Sequence, residues 1–158
     1  MIDKLWDIPP AIKIYEAWGC VGDKRITITE NTAKVYSSSG NKYYDVVYDP
    51  ETNTITSNDN GSYWKGYLGY PAIAFLMLKG TLPLNEKLAE TLSGIPWKDI
   101  NTKFKNDFSK TEEHVRHILN EAGISNETID VEINVAIEAI KQLGIKKPTS
   151  NSKPPSQY

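Results

Sequence analysis

Residues 25–57 alternate polar and apolar side chains in short runs, and each run is broken by residues that favour turns. Arg25–Thr29 alternates, Glu30–Thr32 turns, and Ala33–Ser38 alternates again. Ser39-Gly40-Asn41 turns, Lys42–Asp49 is rich in Tyr and Val, and Pro50–Asn53 turns before the short run Thr54–Ser57. A period of two places one side of each run on a core and the other in water. β-branched and aromatic runs this short, joined by turns of three or four residues, read as an antiparallel meander of three or four strands.

The pattern changes on both sides of this stretch. Pro9 and Pro10 precede a helix-like segment, Ala11–Ala17, with Ile12, Ile14 and Tyr15 at helical spacings and Gly19 and Gly22 as its stop. After the meander, Asn58–Gly69 reads as a loop, with Asn-Gly and two further glycines. Pro71 opens an apolar helix over Ala72–Lys79, ended by Gly80. Helices are expected at Leu84–Leu92, Trp97–Phe108 and Lys110–Ala122, the last with Thr111 as N-cap and Gly123 at its end. A final helix starts at Ser125 or Asn126 and carries the stripe Ile129, Ile133, Ala136, Ile137, Ile140 and Leu143, up to Gly144. The expected fold is α+β: an N-terminal helix, a small meander and a mainly helical second half. Residues 1–145 form a single domain in this reading, with a helical portion at 81–145, and 146–158 is a polar, proline-containing flexible tail.

Composition bounds the function. The 158 residues are 39% hydrophobic and 24% charged, with a net charge of −2, which suits a globular protein. Residues 1–80 carry 8 basic and 9 acidic side chains and residues 81–158 carry 10 and 11, so each half is at −1. This even balance argues against a dedicated duplex-binding domain. The single cysteine, Cys20, allows no disulfide within the chain and favours a reducing compartment. No basic-then-apolar leader opens the sequence, and the longest apolar run, near 71–80, is far short of the ~20 residues that span a bilayer. A cytoplasmic protein without membrane association is the expectation.

The segment VYSSSGNKYYDVVYD, followed by TITSNDNG and GYPAIAFLM, resembles the skeleton of a SWIM zinc-binding domain over residues 33–79. Such domains pair a β-hairpin with a Cys-x-Cys turn and a Cys-x-His pair at the start of an Ile/Ala/Leu-rich helix. Here the first pair falls on Ile55 and Ser57 or on Thr56 and Asn58, and the second on Tyr70 and Ala72. None of these supplies the thiolate or imidazole that zinc selects. The resemblance therefore implies a degenerate, metal-free ββα unit with a role in protein or nucleic-acid interaction. The sequence style also resembles that of small uncharacterised archaeal proteins.

Tyr63, Trp64, Lys65, Tyr67 and Tyr70 lie within eight positions, between glycines, and are the candidate binding residues. Aromatic faces stack on bases at about 1–3 kcal/mol each and also anchor protein interfaces. Against a contact surface stands the reading that these rings close the open end of the sheet. Other constellations are weaker. An EF-hand centred on Gly61 needs acids where Thr56 and Tyr67 stand. His114, His117 and Glu121 share a helix face, but no further Cys or His completes a metal site. Lys98, Lys103, Lys105, Lys110 and Arg116 interleave with acids and read as a solvated helical surface. No GxSxG, Walker A or GxGxxG pattern occurs. No catalytic residue, metal or cofactor is expected. The leading reading is a non-catalytic module that contacts a protein or nucleic acid through its aromatic loop. The alternative is an enzyme or enzyme subunit with a site between sheet and helices that sequence patterns do not reveal.

Overall fold

The computed structural model describes residues 4–149 and 153–155. Helix α1 (Ile12–Gly22) leads into strands β1 (Ile26–Thr29), β2 (Thr32–Tyr36), β3 (Tyr43–Asp49) and β4 (Thr54–Ser57). Helices α2 (Tyr70–Leu78), α3 (Glu86–Thr91), α4 (Trp97–Lys103), α5 (Phe108–Glu121) and α6 (Asn126–Leu143) follow. The fold is α+β, as the alternation and its later change of period lead one to expect.

The four strands lie antiparallel in the order β1-β2-β3-β4. Val35 pairs with Ile26 on one side and Tyr44 on the other, and Tyr48 pairs with Ile55. This register puts Ala33, Val35, Tyr44, Val46 and Ile55 on the buried face and Lys34, Tyr36, Tyr43 and Val47 on the exposed face. α2 lies across the buried face. Every residue from Pro71 to Met77 is buried, so the helix is apolar all round and sits at the centre of the core. The buried hydrophobic residues form one cluster that runs from Trp6 to Ile145.

Gly19 does not stop α1 but lies inside it, whereas Gly22 is the last residue of the helix. They are small because other helices come close. A Cβ on Gly22 would overlap the carbonyl of Ala89 in α3, and one on Gly19 would sit 2.6 Å from the Trp97 indole nitrogen. Asp23 caps the helix, before Lys24, whose backbone is left-handed. The stretch expected as one helix at 97–108 is broken, because Lys105 and Asn106 both take left-handed backbone. Asp107, rather than Thr111, caps α5, accepting from the Ser109 and Lys110 amides. Ser125 caps α6 and Gly144 ends it with left-handed backbone.

The expected flexible tail begins too early. The Ile55 amide donates to the Lys146 carbonyl (3.1 Å), the Lys146 amide to Asn53 (2.9 Å) and the Lys147 amide to Lys4 (2.8 Å). These bonds cover the outer edge of β4. Of the rest of that stretch, residues 150–152 and 156–158 lie outside the described residues. No helix among the described residues is long and apolar enough to cross a membrane.

A candidate polar cleft between the sheet and helix α4

The turn between β2 and β3 is held by its own side chains. Ser39 donates to the Asn41 carbonyl oxygen at 2.7 Å, and Gly40 takes a left-handed φ of 75°. Its tip reaches the start of α4, where the Lys98 amide donates to the Ser38 hydroxyl at 3.1 Å. The contact brings Lys42 at the head of β3 and Lys98 in the first turn of α4 to the same mouth. Behind them opens a cleft of about 370 Å³ whose walls include Lys13, Glu16, Arg25, Tyr44, Asp59, Tyr70, Trp97 and Asn101. These residues come from α1, the sheet, the 58–69 segment, α2 and α4.

Its two carboxylates are buried and bonded. Glu16 receives the Lys13 ammonium on both oxygens at 3.3 Å and the Asn101 amide at 3.3 Å. Asn101 is oriented in turn by the buried Thr111 hydroxyl, which donates to its carbonyl oxygen at 3.3 Å. Asp59 accepts the hydroxyls of Ser57 and Ser62, each at 2.6 Å, and the Ser62 amide at 3.1 Å. Ser62 then accepts from the Gly69 amide at 3.2 Å. A Cβ on Gly69 would overlap Asp59, so only glycine lets the chain pass this carboxylate. Burying these charges without such partners would cost several kcal/mol.

The cations divide into two groups. Lys13 is committed to Glu16; burial alone would lower its pKa, but the Glu16 carboxylate and the Tyr67 phenol outweigh that and raise it. Arg25 donates to Asp23 at 2.9 Å and to the Tyr36 carbonyl at 2.6 Å, and its guanidinium lies 5.8 Å from the centre of the Tyr70 ring. Lys42 and Lys98 form no ion pair among the described residues. Partial burial and the charge of Lys98 both lower the Lys42 pKa. Burial, with the charges of Asp59 and Glu16, pushes the Tyr44 phenol up to about 12. The Tyr70 phenol is raised by burial first and then by the neighbouring Cys20.

The five candidate binding residues do not share one surface. Residues 61–65 form a π-helical turn rather than an open loop, with Gly66 left-handed at its end. Trp64 is 68% exposed and meets the Tyr63 ring edge-on at 4.7 Å, and Lys65 beside it is exposed. Tyr63 is half-buried. Tyr67, also half-buried, turns toward Lys13, and Tyr70 belongs to the cleft wall. Of Tyr63, Trp64 and Tyr67, Trp64 alone is exposed.

The remaining sequence candidates lie elsewhere. His117 faces Glu121 at 3.1 Å on the open side of α5, while His114 lies beside Phe104. Arg116 is engaged by Asp130 at 2.5 Å and Glu112 at 3.6 Å, so the basic stretch 98–116 presents no single cationic face. Among the described residues, no group of three or more His, Cys, Asp and Glu is arranged to hold a metal ion. Cys20 is buried, and burial pushes its thiol up to about 12, far from a nucleophile's range. Ile55, Ser57 and Ala72, among the positions aligned with zinc ligands, are packed in the interior.

The model of the family described as "Uncharacterised conserved protein UCP014422" matches residues 6–146, and the chain belongs to that family. No curated protein and no solved structure matches it.

Proposed function

We propose that this family member binds a small anionic molecule in the cleft between the sheet and α4. One observation carries the reading: both buried carboxylates are already engaged by three protein donor contacts each, whereas the two mouth lysines, Lys42 and Lys98, face each other's charge without a carboxylate partner among the described residues. The open valence of the site is therefore positive. Concave, mostly preformed sites with a few convergent polar groups are the usual form of small-molecule sites, and a cavity of about 370 Å³ suits a small metabolite. The reading keeps the idea of a binding module but moves its centre from the aromatic segment to the cleft. Calorimetric titration with inorganic phosphate and with small carboxylates such as lactate tests it. We expect binding that weakens as salt rises and that falls about tenfold, or about 1.4 kcal/mol, in Lys98→Ala. Failure of every anion in the set to bind with a Kd below about 1 mM, or unchanged binding by Lys98→Ala, overturns it.

A second reading rests on Trp64. An indole 68% exposed beside Lys65, held at its edge by Tyr63, supports contact with a protein or nucleic-acid partner on the outer side of the same segment. Fluorescence polarisation with a labelled single-stranded oligonucleotide, comparing Trp64→Ala with the parent chain, checks the nucleic-acid form; equal affinities remove it.

A further inference from the structure

We propose that Lys42 is the reactive amine of this cleft and captures a 2-oxo carboxylate as an imine. The inference deepens the anion-binding reading and rests on it. Imine formation needs an amine that is not locked into an ion pair, a second group to hold the substrate's carboxylate, and space for the carbonyl carbon to approach. Among the cleft cations, Lys13 is spent on Glu16 and Arg25 on Asp23 and the Tyr36 carbonyl. Lys42 is half-buried, with its nitrogen 5.6 Å from the centre of the Tyr44 ring, and it forms no ion pair among the described residues. Lys98 lines the same cleft, and its backbone amide is bonded to Ser38. In the proposed complex Lys98, which lines the same cleft, takes the carboxylate and Lys42 takes the adjacent ketone carbon.

An amine partly withdrawn from water and set beside a second cation loses its proton more readily, which is one way that proteins make a lysine nucleophilic. Both influences act on Lys42, burial first and Lys98 second. The neutral nitrogen bonds to the carbonyl carbon, and a proton passes from nitrogen to the former carbonyl oxygen. The nitrogen's second proton passes to the same oxygen as the C–O bond breaks, and water leaves. Amine and ketone become imine and water, no electrons are exchanged, and no cofactor is required.

Borohydride trapping on the full chain tests the inference, with pyruvate as probe. Reduction in the presence of pyruvate should give one saturable adduct, located on Lys42 by peptide mapping, and labelling should fall at least tenfold in Lys42→Arg. Lactate, which has the carboxylate but no ketone, should bind the parent chain and leave no adduct. Labelling spread evenly over surface lysines, or concentrated on Lys42 without saturation, overturns the proposal. Lactate binding without any pyruvate adduct overturns imine capture and leaves the anion site standing. Absence of both lactate and pyruvate binding removes the anion site and the imine with it. Because the adduct is mapped in the parent chain, the outcome does not depend on the variant folding.

Discussion

The segment from Ser57 to Gly69 has an inner side and an outer side built from neighbouring residues. On the inner side, Asp59 and Ser62 are buried and exchange bonds with Ser57 and the Gly69 amide. On the outer side, Trp64 is largely exposed, with the edge of Tyr63 as its ring partner. The inner side is held by polar groups whose charge must be matched, so it tolerates little change. The outer side is a large apolar surface left on a rigid turn. Nearness in sequence drew attention to the aromatics, yet the stronger candidate site arises where distant residues converge on the inner side.

The largest expected effect falls on the interior that the inner side joins, when the buried weak acids there are forced to ionise. Cys20 and Tyr44 have folded values near 12, against ordinary values of 9.0 and 10.0, and Tyr15 and Tyr70 are raised as well. For each group the fold favours the neutral form. That stability is present below the unfolded value and is lost as pH climbs through the folded one. Lys42 shifts the opposite way, but its half-buried amine is still screened by solvent and adds little. The melting temperature, followed by circular dichroism, should stay level from pH 7 to about 9 and fall steeply toward pH 11. A level curve to pH 11 would mean that the inner side is far wetter than its packing indicates.

Next in size is Asp59→Ala. It strips acceptors from two serine hydroxyls and one amide, and leaving buried donors unpaired costs about 1–3 kcal/mol each, partly offset by removing a buried charge. A net loss of about 3 kcal/mol is expected, or about 6–12 °C in the melting temperature of a chain this long. A loss below about 1 kcal/mol would erase the contrast between the two sides. The smallest effect is expected on the outer side: Trp64→Ala should change stability by less than about 0.5 kcal/mol, as for surface positions generally. A loss of about 3–5 kcal/mol, the range for a buried aromatic, would make Trp64 part of the core and end the second reading.

The strands and most helices were legible because each carries its own period. Val35, Val46 and Ile55 announce a buried face by alternation alone, and Gly144 marks the end of α6 by its backbone freedom. Gly19 is not legible as an interior residue because glycine has two uses, stopping a helix and admitting a close neighbour, and only the approach of Trp97 tells them apart. The 97–108 segment was read as one helix because nothing in its composition shows that Lys105 and Asn106 adopt left-handed backbone. The cleft was hidden for a different reason. Asn101 meets Glu16 across 85 positions and Lys98 meets Ser38 across 60, and no local pattern encodes such meetings. One trace existed: Lys13 and Glu16 are three apart inside an otherwise apolar helix, where a paired charge needs a polar destination.

The bonds that cover β4 bear on how the chain reaches this fold. The Trp6 indole donates to the Ile55 carbonyl, the Trp6 amide to Ile145, and the Ile55 amide to Lys146. An uncovered strand edge is a template for pairing with another chain. During synthesis the sheet is complete once Ser57 has emerged, but its seal waits for residues 145–147. Until residues 145–147 emerge, the outer edge of β4 lacks the Lys146 partner that it has in the finished fold.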